Sequence, residues 1–365
     1  MPELEKTAIK LRRISIKNFK AFDSLEIEFP PPRMKADPDI IVMGSKNGLG
    51  KTSVLEACAL LFWAGFGGQK ASSLIPSYIM SIDLKDILIR AGSGKAIIEG
   101  TFVYKNDYSM SLVLDRETYF EVMGNLEPIQ DLIRRNYHSH DLKNLERLLF
   151  SLMAINSEPL ILPPLLYFHS FRKIQEGNPE LGMIAEGESH PRKPWERYNN
   201  ESQTSKFKLE ILRLMMSKAN LFEDIDDKKA QEALDKLNQL IEKYAGGKIA
   251  KLRSSKDSTI EFRIEPTGGG PSYTFDGLSS GQKEIISTFF LIWKYTKDIP
   301  GIILIDEPEL HLNAEWHRDY IHQLHKLAPH NQYIIATHSE DVFSSVPPDR
   351  RILLTESKGE KNGRG

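Results

Sequence analysis

Residues 39–53 read DIIVMGSKNGLGKTS. The apolar run 39–43 has the composition of a strand buried in the centre of a sheet, and it leads directly into a glycine-rich turn. Residues 51–66 then place Val54, Leu55, Cys58, Leu61, Phe62 and Phe66 at three-and-four spacing, which predicts an amphipathic helix opening at that turn. Strand, glycine turn and helix in this order make a loop for a phosphorylated ligand. Backbone N–H groups converge on a β-phosphate, the Lys51 ammonium reaches the β/γ oxygens, and the Thr52 hydroxyl ligates Mg2+. The spacing departs from G-x-x-x-x-G-K-[ST] at Ser45, with Gly44 one residue earlier, while residues 47–52 match the tighter N-G-x-G-K-[ST] form. The predicted nucleotide-binding residues are therefore Ser45, Lys46, Asn47, Gly48, Leu49, Gly50, Lys51, Thr52 and Ser53.

Three further segments bear on the same chemistry. Residues 302–307 (IILIDE) are an apolar strand ending in two carboxylates. There Asp306 can hold Mg2+ through its water shell, and Glu307 can orient and deprotonate an attacking water. Residues 332–336 (QYIIA) predict another buried strand, joined to the first by a helix over 314–327 and followed by Thr337-His338-Ser339. The third segment, Leu278-Ser279-Ser280-Gly281-Gln282, stands just ahead of an apolar-periodic helix at 284–295. Free N–H groups, a serine hydroxyl and the helix dipole would there point at an anion, and a γ-phosphate is the natural guest. An ordinary capped helix would explain the pentapeptide if it stood alone.

In their order along the chain these segments resemble the motifs of an ABC-type ATPase head of the class shared by SMC proteins, RecF and OLD-like ATPases. Residues 14–22 (ISIKNFKAF) resemble the opening of that class as well. The resemblance implies an α/β fold with a central, mostly parallel sheet, an antiparallel β lobe and an inserted helical lobe. By the same resemblance Lys20 approaches the nucleotide and His338 contacts its γ-phosphate, a place suited to an imidazole. Gln175, after the strand predicted at 165–171, is the nearest candidate for the family's metal-contacting glutamine, against a plain surface glutamine. The LSSGQ segment, similar to the family signature, completes the phosphate site of a second copy. A head-to-tail homodimer using ATP and Mg2+ is thus implied. Two branches are excluded beyond the head, because neither a long heptad arm nor a hook CxxC is present. The text 306–312, DEPELHL, is similar to OLD-like ATPases, including those of anti-phage systems such as PARIS, Septu and retron-associated modules. OLD proteins proper carry a nuclease after the ATPase, so a separate effector protein is expected here.

The remaining sequence sets the frame. Its 365 residues, 40% hydrophobic and 27% charged with a net charge of −2, suit a globular chain with a large core and give no global case for nucleic acid. One cysteine, Cys58, excludes a disulfide framework and a paired-CxxC zinc site and reads as a buried thiol. No apolar run reaches the ~18 residues of a membrane span, and a cytoplasmic location is expected. Alternation predicts hairpins over 11–19/24–29 and over 96–104/108–114, a strand at 260–264 and a last strand at 351–355. Helical patterns cover 126–155, with a basic face of Arg134, Arg135, Lys143 and Arg147, and 207–244, with an acidic break at 223–227. Residues 177–202 read as an exposed loop. Five of the ten histidines fall between His311 and His330, with His322 and His325 three apart; an amphipathic face explains the spacing, and no Cys or H-E-x-x-H accompanies it.

The expected division is an N-terminal ATPase lobe at 1–120, a helical insertion at 121–260, a C-terminal ATPase lobe at 261–356 and a disordered tail at 357–365. The leading functional expectation is an ATPase that switches by nucleotide-dependent dimerisation within an anti-phage system. The alternatives are a RecF-like clamp on DNA and a scaffold that binds ATP and hardly turns it over.

Overall fold

The computed structural model describes residues 8–34, 37–44, 48–67, 84–116, 121–124, 159–162, 164–172, 174, 178–179, 205–218, 227–254 and 259–355. The helix predicted at 126–155 with its basic face, nearly all of the loop at 177–202, most of the acidic break at 223–227, and Gln175 lie outside these residues. The chain forms two compact units, one of Met1–Ser170 with Tyr295–Gly365 and the other of Phe171–Lys294. The divisions at 170/171 and 294/295 differ from those expected at 120/121 and 260/261. Residues 165–168 pair in parallel with 302–305, which draws them into the first unit.

In the first unit β1 (Lys10–Phe19) and β2 (Phe22–Glu28) form the opening hairpin through a two-residue turn, with Asn18 and Lys20 in the left-handed region. The turn is tighter than the four residues expected. After β3 (Asp39–Gly44), α1 (Lys51–Gly67) and α2 (Leu84–Leu88), the hairpin of β4 (Lys95–Tyr104) and β5 (Asn106–Asp115) joins β1, and β6 (Glu121–Met123) follows β5. The antiparallel sheet so formed has the order β2-β1-β4-β5-β6.

The second sheet adds β7 (Leu160–Leu162), β8 (Leu165–Phe168), β12 (Ile302–Asp306), β13 (Gln332–Thr337) and β14 (Arg351–Leu353) to β3, in the order β14-β3-β13-β12-β8-β7. It is parallel except for β7. Helices α6 (Ala314–Leu327) and α7 (Glu340–Ser344) complete this unit. Strands β3, β12 and β13 are buried at every position, as central parallel strands covered on both faces must be.

Helix α1 departs from the amphipathic expectation. From Val54 to Leu61 every residue is buried, Glu56 included. It packs against β1, β4 and β5 on one side and β8, β12 and β13 on the other, so no face is left for solvent. Cys58 lies inside this helix, and burial pushes its thiol pKa up, away from reactivity.

The second unit holds α3 (Lys206–Lys218), α4 (Asp227–Ala245), β9 (Gly247–Ser254), β10 (Ile260–Pro266), β11 (Tyr273–Thr274) and α5 (Ser280–Thr296). Its sheet is antiparallel, β11-β10-β9. Strand β9 was not predicted, because Gly247, Lys248, Lys251 and Arg253 interrupt its apolar alternation. It is ordered by its ladder to β10 and by Asn238 of α4, whose side chain accepts the Ile249 N–H at 2.9 Å.

One charge cluster holds the start of β3. Asp39 is 5% exposed and receives the Arg12 guanidinium at 3.2 and 2.9 Å and Arg350 at 2.7 Å, while Arg350 also donates to the carbonyls of Ile40 and Pro30. Removing one partner of such a buried group leaves uncompensated charge. Asp39→Ala should therefore lower stability by about 3–5 kcal/mol, read as the shift of the urea midpoint at constant slope.

Candidate functional site

The parallel register decides which residues meet. Asp306 on β12 stands opposite Ala336 on β13, Ala336 stands opposite Met43 on β3, and Thr337 faces Gly44. The C-terminal ends of three strands thus reach one level, where ligands of open α/β sheets collect. The turn between β3 and α1 is described from Gly48 onward; Ser45, Lys46 and Asn47 lie outside the described residues. Gly48 (φ 81°) and Gly50 (φ 84°) take the left-handed conformation the turn needs. At Gly50 a Cβ would stand 2.4 Å from the Phe22 ring, so backbone and ring are in direct contact there. The Val54 N–H closes the first helical bond to the Gly50 carbonyl at 3.0 Å.

Lys51 and Thr52 then point along the strand ends. The Thr52 hydroxyl donates to Asp306 at 2.8 Å, and Asp306 is fully buried. Lys51 is 5% exposed, and its Nζ lies 3.2 Å from His338 Nδ1. An ammonium only donates, so a charged Lys51 assigns Nδ1 the acceptor role, which in the neutral ring puts the proton on Nε2. That nitrogen is 3.2 Å from Glu307 Oε1. Lys51, His338 and Glu307 are therefore one chain of polar contacts. Burial pulls the Lys51 pKa below its ordinary value, against the raising effect of Asp306, Glu307 and Glu309.

Glu307 owes its direction to its backbone. With φ at 48° it lies in the left-handed region, unusual for a residue with a Cβ, and its N–H reaches the Ala336 carbonyl at 2.8 Å. The strand therefore ends with a sharp turn between the two carboxylates, which sends Asp306 toward Thr52 and Glu307 toward His338. Ser53 follows in α1 and Leu49 precedes it in the turn, both half-buried.

Lys20 makes a 2.6 Å ion pair with Glu56, one helical turn beyond Thr52. Burial raises the Glu56 pKa, and the Lys20 ammonium opposes that shift. In the second unit Ser279 and Gln282 form a reciprocal cap at the start of α5: Ser279 Oγ accepts the Gln282 N–H at 3.2 Å, and Gln282 Oε1 accepts the Ser279 N–H at 3.0 Å. Gln282 Nε2 also donates to the Tyr244 carbonyl at 2.9 Å. Leu278 is buried, whereas Ser279 and Ser280 are exposed, and Gly281 lies buried in the first turn of the helix. Helix α5 opens one turn earlier than the predicted 284, because this cap starts it.

Glu56, Phe22, Glu309 and His317 were not singled out from the sequence. Glu309 and His317 lie within or just after the DEPELHL text, but only the fold brings them to the loop after β13. No group of three or more His, Cys, Asp or Glu suited to a metal ion occurs among the described residues. None of the described helices is long and apolar enough to cross a membrane.

The chain is 22% identical over 394 residues to the "Retron Vc95 probable ATPase" of Vibrio cholerae serotype O1 biovar El Tor, covering 95% of this chain and 74% of that protein. It is 23% identical over 337 residues to the "Septu protein PtuA" of Bacillus mycoides (strain KBAB4), spanning 90% of this chain but only 38% of that relative. Among solved structures, the SMC head bound to the C-winged helix domain of ScpA aligns with a TM-score of 0.53 at 15% identity, over 92% of both chains. The SMC head with an extended coiled coil, bound to the C-terminal domain of ScpA from Pyrococcus furiosus, aligns at 0.50 and 14%, over 93% of this chain and 92% of that one. The fold is that of an SMC-type ATPase head. Residues 46–344 match the family model described as "AAA domain, putative AbiEii toxin, Type IV TA system", and the chain belongs to that family.

Proposed function

We propose that the protein binds and hydrolyses ATP with Mg2+, and that ATP joins two copies head to tail as a switch controlling a separate effector of a retron- or Septu-like anti-phage system. The observation that carries this reading is the meeting of Lys51, Thr52, Asp306, Glu307 and His338 at the ends of β3, β12 and β13. Thr52 and Asp306 offer two adjacent oxygen donors of the hard kind Mg2+ takes. An ion held there would neutralise charge developing on the β- and γ-phosphates.

The chain's own residues supply the rest. Lys51 and the helix start receive the phosphates, and Glu307, turned out of the strand, accepts a proton from the attacking water. His338 donates from Nε2 to Glu307 and so keeps the carboxylate and the terminal phosphate side of the site in register. Leu278, Ser279, Ser280, Gly281 and Gln282 complete the site of the opposing copy. Their half of the reading rests on the motif and on the exposure of Ser279 and Ser280 beside a helix start. Similarity to a retron ATPase and to a Septu protein supports the anti-phage role. Switching requires that ATP favour the joined form, since equal affinity for both states shifts nothing.

Lys51→Ala should weaken ATP binding at least about tenfold by equilibrium dialysis; unchanged affinity would refute the phosphate-loop assignment. Glu307→Gln should cut phosphate release by about 100-fold while ATP-dependent dimers, measured by light scattering, persist or increase. Full turnover in that variant removes Glu307 as the base, and dimers indifferent to ATP point to a scaffold. Ser279→Arg should retain ATP binding and lose both dimers and turnover. A fully active Ser279→Arg monomer would sink the shared site.

A further inference from the structure

The loop after β12 carries a second carboxylate that the reading above does not use. Glu309 is half-buried and sits against the end of β13. Its Oε1 accepts the N–H of His338 at 2.6 Å and of Ser339 at 3.1 Å, and its Oε2 accepts the Thr337 hydroxyl at 2.8 Å. The Ser339 N–H is shared with Thr337 Oγ1 at 2.9 Å. Three donors on three consecutive residues thus converge on one side chain. Only an ionised carboxylate presents two oxygens and no proton to such a set, and bonds of this kind are the stronger, charge-assisted class.

The same loop is held from the other side. His317 of α6 lies 3.2 Å through Nε2 from the carbonyls of both Glu309 and Leu312, and 3.3 Å through Nδ1 from Ser339 Oγ. Carbonyls only accept, so Nε2 carries the proton and Nδ1 accepts from the serine. The Glu309 carbonyl also takes the Leu312 N–H at 3.0 Å, and the left-handed His311 (φ 64°) closes that turn. Backbone and side chain of Glu309 are both anchored, so the carboxylate is a fixed point against which the residues after β13 are set.

We propose that Glu309 is a positioning residue that holds the main chain of Thr337–Ser339 so that the His338 ring spans Lys51 and Glu307. Its effect on turnover, which rests on the hydrolysis reading above, passes mainly through His338, its charge acting on Lys51 only as the last of four influences. The groups in contact with that ring are Lys51 of α1 and Glu307 of the loop after β12, while Glu309 holds the backbone N–H of the same residue. With Glu309 in place, the bonds from Lys51 and to Glu307 select one neutral tautomer, with the proton on Nε2. Without it, the N–H groups of His338 and Ser339 turn to water and the ring loses that selection.

The test has two arms in the full chain. In 15N-histidine-labelled protein, the His338 ring signals are identified by their loss in His338→Gln, and the ring nitrogen shifts report the tautomer. The native chain should show His338 with the proton on Nε2, Glu309→Ala a tautomer mixture or broadened signals, and Glu309→Gln, which keeps one acceptor oxygen, a nearly native pattern. An unchanged single tautomer in Glu309→Ala overturns the proposal whatever the turnover.

In phosphate release, Glu309→Ala should lower kcat by about 10- to 100-fold with KM for ATP within about threefold of native. Added to His338→Ala, it should cost less than about a further twofold; fully additive losses overturn the proposal. If the native chain releases no phosphate while the His338 tautomer still responds to Glu309, the hydrolysis reading fails and the brace stands.

Discussion

Everything at the candidate site depends on the register of three parallel strands. Lys51 and Asp306 are 255 positions apart in sequence, yet pairing β13 between β3 and β12 brings the residues after all three strand ends to one level. Each strand is buried on both faces, so its side chains cannot choose between a wet and a dry side; the ladder itself sets which residue emerges last. A slip of one residue would carry Asp306 away from Thr52 and turn its side chain to the other face. The burial of Asp306 shows how closely that end of β12 is enclosed.

The rest of the first unit reads as support for that alignment. Helix α1 is apolar almost all round because it lies between two sheets, and this placement aims its N-terminus at the strand ends. The Asp39 cluster does the corresponding work at the opposite end of β3, tying it to Arg12 of β1 and to Arg350 before β14. Glu307 and His311 both adopt positive φ within the loop whose contacts orient His338, as Asn18, Lys20 and Lys105 do at hairpin turns elsewhere. The hydrogen bonds to the Ala336 carbonyl and to the Glu309 carboxylate offset that strain.

Several parts of this molecule were legible as sequence, each for a local physical reason. Short apolar runs at 39–43, 302–305 and 332–336 could be nothing but buried strands once glycine, carboxylate and histidine motifs closed them. Helix α6 begins and ends where its pattern predicted, at Ala314 and Leu327, because Asn313 caps it and its apolar face repeats at helical spacing. Elsewhere local signals were weak or misleading. Helix α1 looked amphipathic because its first apolar residues follow a stripe, and only the second covering sheet reveals that alanines and Glu56 are buried as well. Strand β9, with two lysines, an arginine and a glycine in eight residues, does not declare itself without β10 beside it.

Residue types and their local spacing therefore determined, by themselves, the phosphate turn, the two carboxylates, the histidine and the family resemblance. These are properties of a few consecutive atoms along one backbone. Which partners those groups take was decided only by tertiary structure: Thr52 on Asp306, His338 between Lys51 and Glu307, Lys20 on Glu56, and Glu309 on the chain after β13. Such pairings join residues dozens to hundreds of positions apart. Strand order and register set them, and no local pattern of charge or hydropathy records either one.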